Sequence, residues 1–253
     1  MSPLVELESV RFRYPGQEEP ALNDVSVSLV RGQKVAVMGR NGSGKSTLFL
    51  HCNGILKPES GTVRFDGHPI SYRHRSLLAL RQQVSIVFQN PDDQLFSASV
   101  AQDISFGPLN LGMTPEEARQ RVQEAAELCG ASDLLDRPTH ALSGGEKARV
   151  ALAGVLAMEP AIILADEVTA SLDPWMRRQM FEIFERLVEQ GKTVVLATHL
   201  AEVARNWADT LVVMDEGKVI AADAPGCIFS DEALMARTRL NEPWYTPAAS
   251  VTG

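Results

Sequence analysis

Between residues 4 and 14 apolar and polar positions roughly alternate, with Val5, Leu7, Val10, Phe12 and Tyr14 on the apolar side. That period predicts a half-exposed strand, which Pro15-Gly16 ends. Val25-Ser26-Val27-Ser28-Leu29 predicts a second strand, stopped by Arg31-Gly32. Lys34-Val35-Ala36-Val37-Met38, Val84-Ser85-Ile86-Val87-Phe88 and Ile162-Ile163-Leu164-Ala165 are instead continuous apolar runs. The last of these is typical of a parallel strand covered on both faces. Thr62 to Gly67 predicts a short strand and turn, and Thr193 to Ala197 a further strand. Leu211 to Met214 and Val219 to Ala222 flank Asp215-Glu216-Gly217-Lys218, the pattern of a hairpin.

From about 90 to 160 the texture becomes helical. Thr114-Pro115-Glu116-Glu117 supplies an N-cap, an N1 proline and a capping-box glutamate, and Ala118, Val122, Ala125 and Cys129 mark one face. A helix is also predicted from Lys147 to Met158. Asp173-Pro174 starts another, with Met176, Met180, Ile183, Phe184 and Leu187 as its stripe and Gly191 at its end. Beyond Pro225 the signal thins, and Thr246 to Gly253 reads as a frayed end. Strands alternating with helices imply an α/β chain with a mostly parallel core and a helical insertion.

Composition narrows the function classes. At 253 residues the chain makes one large domain or two small ones. Its 45% hydrophobic and 22% charged residues suit a globular protein. A net charge of −8 argues against nucleic acid as the main ligand. No apolar run approaches the roughly 20 residues that cross a bilayer, and Met1 to Glu6 lacks the basic start of a signal peptide. Cys52, Cys129 and Cys227 are expected reduced, as in cytoplasm, and to serve as small buried apolar residues.

The chemistry begins at Gly39-Arg40-Asn41-Gly42-Ser43-Gly44-Lys45-Ser46-Thr47, a G-x-x-x-x-G-K-[ST] loop directly after an apolar strand. Its glycines let successive N–H groups line one hollow, and the helix that follows, expected to stop at Gly54, adds its positive end. Lys45 can reach the β- and γ-phosphates and Ser46 can ligate Mg²⁺, so the segment implies a nucleoside triphosphate. The strand at 162–165 ends in Asp166-Glu167. Beside a phosphate loop, Asp166 suits Mg²⁺ and Glu167 suits a general base that polarises water; an acidic helix start is the alternative. Leu142-Ser143-Gly144-Gly145-Glu146 is a capping box and equally an anion site at a helix start.

With LSGG, the carboxylate-ended strand, Ser171-Leu172-Asp173 and His199 following the phosphate loop in order, the chain resembles the ATP-binding cassette (ABC) ATPases over about residues 4 to 225. The resemblance implies a P-loop NTPase fold with a mostly parallel core sheet, an antiparallel β subdomain and a helical subdomain. It implies one such domain over 1–225, with the helical part at about 90–160, and a C-terminal extension over 226–253. It also implies roles: Tyr14 stacks on adenine, though a strand-end tyrosine also packs; Gln89 is a Mg²⁺ and water ligand; His199 contacts the γ-phosphate. Ser143, Gly144, Gly145 and Glu146 complete the site of another copy, and Asp173 crosses to it, so two chains sandwich two ATP molecules. Glu146 stands where the family more often has glutamine, and Val168 where proline usually follows the glutamate. Glu146 is expected to weaken closure without disturbing the cap.

Phe88-Gln89-Asn90-Pro91-Asp92-Asp93-Gln94-Leu95-Phe96 and Asp103 to Gly112 look like the energy-coupling-factor (ECF) importer ATPases, above all the cobalt and nickel branch. That implies a peripheral protein on the cytoplasmic face of the cell membrane. A membrane scaffold would dock near Gln89–Gly112, beside a membrane substrate-binding subunit, with a second copy or a sister ATPase alongside. Asp92 and Asp93 would pair with basic residues of the scaffold, and Leu95 and Phe96 would anchor it; a solvated acidic turn is the alternative. No His, Cys or carboxylate cluster has metal-ligand spacing, and His51-Cys52 and Arg73-His74-Arg75 read as surface or core. The competing readings are the ATPase of another ECF or ABC transporter, a soluble repair or ribosome ATPase, and a non-catalytic ATP binder.

Overall fold

The structure, a computed structural model, describes residues 3–238 and 240. The frayed end read at Thr246 to Gly253 lies outside them. Among the described residues ten strands form two sheets. The smaller is antiparallel in the order β2-β1-β4-β5: β1 (Pro3–Phe12), β2 (Leu22–Val30), β4 (Ser60–Phe65) and the two-residue β5 (His68–Pro69). The larger has the order β10-β9-β3-β8-β7-β6. In it β3 (Lys34–Met38), β6 (Val84–Val87), β7 (Ile162–Asp166), β8 (Thr193–Thr198) and β9 (Thr210–Asp215) run parallel. The antiparallel β10 (Lys218–Asp223) closes the hairpin expected around Glu216-Gly217.

The continuous apolar runs are explained by burial on both faces of this sheet. Val35, Val37, Ile162 and Leu164 point into a core shared with β1, β2 and helix α1 (Lys45–Cys52). On the other face Ile163 and Ala165 meet α5 (Gly144–Leu156) and α6 (Pro174–Glu189), while Ala36 and Met38 meet the C-terminal helices. Phe49 and Phe184 are fully buried, each contributing about 1.5–3 kcal/mol.

The helical region holds α3 (Val100–Asn110), α4 (Pro115–Leu128) and α5, packed on one another. The cap at Thr114 forms as expected, with Glu117 reciprocating. The stripe of α6 buries Met180, Ile183, Phe184 and Leu187. Helix α5 starts at Gly144 rather than Lys147, because Ser143 caps it and draws both glycines into the first turn.

Four helices went unread in the sequence. Helix α2 (His74–Gln83) buries only Leu80, with Leu77 packed partly beside it, so its apolar face is short. Helix α7 (Ala201–Trp207) has seven residues and lacks a side-chain cap. After Pro225, α8 (Pro225–Ser230) and α9 (Glu232–Thr238) set Ile228, Leu234 and Met235 against β3 and β9. Cys227 is exposed on the outer side of α8, which corrects the expectation that all three cysteines are buried.

Candidate nucleotide site

The phosphate loop is shaped by backbone that a side chain would obstruct. Gly42 and Gly44 hold φ of 81° and 103°, the left-handed region where glycine is unstrained. A Cβ on Gly39 would lie 2.3 Å from the Met214 carbonyl and 2.5 Å from Ser43 Oγ. Lys45 bends back over the loop, donating to the Gly39 carbonyl at 3.0 Å and the Arg40 carbonyl at 3.2 Å. Among the described residues the buried hydroxyl of Ser43 has no hydrogen-bond partner, a donor left for an incoming oxygen.

The end of β7 brings two carboxylates to the same place, and the end of β8 brings His199. Asp166 is buried beside the Ser46 hydroxyl. Burial holds its carboxyl above the usual carboxylate range, and the Ser46 hydrogen bond opposes that shift. Glu167 turns out of the strand with φ of 50°, unusual for a residue with a side chain, while its amide donates to the Ala197 carbonyl at 3.1 Å. That conformation aims its carboxylate at three side chains from separate elements. Oε1 lies 3.4 Å from Lys45 Nζ; Oε2 accepts from Gln89 Nε2 at 3.4 Å and lies 3.6 Å from His199 Nδ1.

Beside this convergence opens a cleft of about 480 Å³. Asn41, Gly42, Gly44, Lys45, Ser46 and Thr47 form its floor, with Gln89 and Glu167 at one end and Tyr14 at the other. The Tyr14 hydroxyl meets Thr47 Oγ1 at 3.2 Å, and its ring stands edge-on to Phe12, so it lines the cleft and packs as well. Gln17, Glu19, Pro20 and Ala21 complete the wall. No sequence signal marked them: they belong to the loop before β2, which tertiary contact with Gly44 brings over the phosphate loop. Buried acidic and hydroxyl oxygens beside a glycine cradle suit Mg²⁺ and phosphate.

Comparison with known proteins is decisive. The family model for ABC transporters matches residues 22–170. The cobalt import ATP-binding protein CbiO of Rhodobacter capsulatus is 44% identical over 243 residues, covering 96% of this chain and 86% of its own. This chain belongs to the ABC transporter ATP-binding family. Other relatives carry the name energy-coupling factor transporter ATP-binding protein. EcfA of Methanothermobacter thermautotrophicus is 45% identical over 240 residues, 95% of this chain and 77% of that one. EcfA2 of Methanospirillum hungatei is 43% identical over 243 residues, 96% of this chain; the chain spans 61% of that protein's length. The solved cbiO1 of Clostridium perfringens, part of the cbiONQ complex, superimposes with a TM-score of 0.82 at 40% identity, over 96% of this chain and 97% of that one. A dimeric post-hydrolysis cassette, MJ0796 bound to ADP and Pi, gives 0.80 at 29% identity, over 87% and 98%.

The remaining motif residues of this ABC cassette lie outside the cleft. Ser143 caps α5, its Oγ accepting from Glu146 N at 3.4 Å while Ser143 N donates to Glu146 Oε2 at 2.7 Å. Arg137 pairs with the same glutamate, and these hydrogen bonds hold its carboxyl below the usual range, the Ser143 amide foremost. Asp173 caps α6, accepting from Trp175 N and Met176 N at 2.9 Å each. Neither Ser143 to Glu146 nor Asp173 lines the cleft of its own chain. Gly145 faces Met176 so closely that a Cβ there would meet its Cε at 2.2 Å, which joins the two caps into one surface.

The loop after Gln89 is tied to that surface as well. Gln94 accepts from Phe88 N at 3.2 Å and donates to the Ala151 carbonyl of α5 at 2.8 Å. Asp92 pairs with Lys147 of α5 at 2.6 Å, its side chain still largely exposed. Leu95 turns into the helical core, leaving Phe96 as the exposed half of the expected anchor. Phe106 joins it edge-on at 4.8 Å, with Leu109 exposed nearby in sequence. Among the described residues no helix is long and apolar enough to cross a membrane, and no group of three His, Cys, Asp or Glu could hold a metal.

Proposed function

We propose that this chain is the ATP-binding and ATP-hydrolysing subunit of an ECF-type importer for cobalt or nickel ions. The observation that carries the catalytic part is the convergence of Lys45, Gln89 and His199 on the Glu167 carboxylate. In this reading ATP stacks its base on Tyr14 and lays its phosphates in the amides of Gly39 to Thr47, with Lys45 on the β- and γ-phosphates. Ser46, Asp166 and Gln89 would hold Mg²⁺, which neutralises charge on the phosphate oxygens. Glu167 accepts the proton of the attacking water, and His199 holds the γ-phosphate from the far side.

Because Ser143 to Glu146 and Asp173 stand away from their own cleft, the site is completed by a second copy or a sister ATPase, arranged head to tail. That the solved relative MJ0796 is dimeric supports the presence of a second copy. One cassette domain spans residues 1–225, with a helical subdomain at about 90–160 and an extension from 226. It works at the cytoplasmic face of the membrane as a peripheral subunit. Phe96, Phe106 and Leu109 form the apolar contact for a membrane scaffold within Gln89–Gly112, and the cargo ion is bound by a membrane subunit. Gln94 and Asp92 link that contact to the helix that bears the signature serine, which transmits closure.

The test is purification of the chain from detergent-solubilised membranes of its source cell, with metal analysis. A scaffold and a small membrane protein with stoichiometric cobalt or nickel support the reading. Double substitution of Phe96 and Phe106 by serine should release them. A membrane complex without metal would leave an ATPase for another cargo. Recovery without membrane partners would sink the transport role.

A further inference from the structure

An acidic residue closes the signature loop where the family more often has glutamine, yet neither oxygen of Glu146 is free. Oε2 accepts from Ser143 N at 2.7 Å and Oε1 from Arg137 Nη1 at 2.7 Å. The second Arg137 nitrogen, Nη2, donates to the Ala141 carbonyl at 2.8 Å, just before the loop begins. The arginine is also held through its backbone: its amide donates to the Leu134 carbonyl at 2.8 Å and its carbonyl accepts from Val100 N, at the head of α3, at 3.1 Å. Its guanidinium is therefore set in place before any ligand arrives. The pair is partly exposed, 42% for the arginine and 22% for the glutamate, so it adds little to global stability. Its effect is on the local field. Gly144 and Gly145 open the first turn of α5, where bare amides suit an anion, and an unpaired carboxylate at the third position would repel one.

We propose that Arg137 is a positioning residue that neutralises Glu146, so that the γ-phosphate of ATP on a second copy can approach the start of α5. This rests on the head-to-tail reading above. Ligand-driven association is read by analytical ultracentrifugation, with Glu167→Gln as the parent so that ATP persists. Arg137→Ala should raise the ATP concentration for half-maximal dimerisation about five- to tenfold. Arg137→Gln, which keeps a hydrogen-bond donor and loses the charge, should do the same and guards against a folding failure. Adding Glu146→Gln to either should restore most of the loss, since glutamine still caps the helix. The defect of the single variants should also shrink as salt rises. Unchanged dimerisation in Arg137→Gln would overturn the proposal. So would a defect that neither Glu146→Gln nor salt relieves, which would assign Arg137 to the Ala141 carbonyl alone. A parent that dimerises while the variants match it refutes only this inference; a parent that never dimerises refutes the head-to-tail reading and this inference with it.

Discussion

Lys45 Nζ lies 3.4 Å from Glu167 Oε1, and the two side chains are 5% and 11% exposed. The lysine that suits the phosphates and the carboxylate that suits the water thus share one enclosed contact. In the proposed reading, phosphate oxygens would compete with Glu167 for this ammonium, and triphosphate binding would free the carboxylate for proton transfer. Glu167→Gln should keep ATP binding and lower turnover about 10²- to 10⁴-fold. Isothermal titration together with phosphate release tests this; near-normal turnover would remove Glu167 as the base.

Asp166 carries a pH prediction. Its carboxyl is raised by burial, so the folded chain holds this proton more tightly than the unfolded chain does. Stability from that proton is complete below the unfolded pKa and is lost as pH rises through the folded value. At neutral pH without Mg²⁺, Asp166→Asn should therefore melt about 2–4 °C higher than the unsubstituted chain. The difference should close on acidification, while Mg²⁺-dependent ATP hydrolysis is lost at every pH. A variant that melts lower at neutral pH would contradict the burial argument.

Gly39 is held by sterics that cannot relax. A methyl group there meets the Met214 carbonyl and Ser43 Oγ, the first of which belongs to β9. Gly39→Ala should cost about 1–3 kcal/mol and weaken nucleotide binding with it. At Gly145 the obstruction is the flexible end of Met176, which can swing away, so Gly145→Ala should melt close to the unsubstituted chain. Thermal melts of the two variants give the order directly.

The thiols should separate cleanly. Burial pushes Cys52 and Cys129 up to about 12, which leaves almost no thiolate at neutral pH. Cys227 is exposed. A thiol reagent should label one cysteine in the folded chain and three after denaturation, with Cys227→Ser removing the fast one. Rapid labelling of Cys129 would show that the helical region opens readily.

The sequence by itself determined the parts written in short-range code. The glycine loop, the Thr114, Ser143 and Asp173 caps and the apolar run into Asp166-Glu167 each need only a few adjacent residues. The apolar runs at 34–38, 84–88 and 162–165 were legible because burial on both faces favours apolar residues at successive positions. Tertiary structure alone decided what long-range contact sets. Helix α2 fully buries one residue and shows only a short apolar face, and the wall from Gln17 to Ala21 reaches the cleft only by folding over Gly44. Leu95 and Phe96 are neighbours of similar hydrophobicity, yet one enters the core and the other faces outward. The convergence on Glu167 draws on residues 45, 89 and 199, and the left-handed turn that aims its carboxylate is fixed by the amide of Glu167 bonding to Ala197. Local sequence specifies caps, loops and periods; which side chains meet is settled by how the sheet stacks its strands.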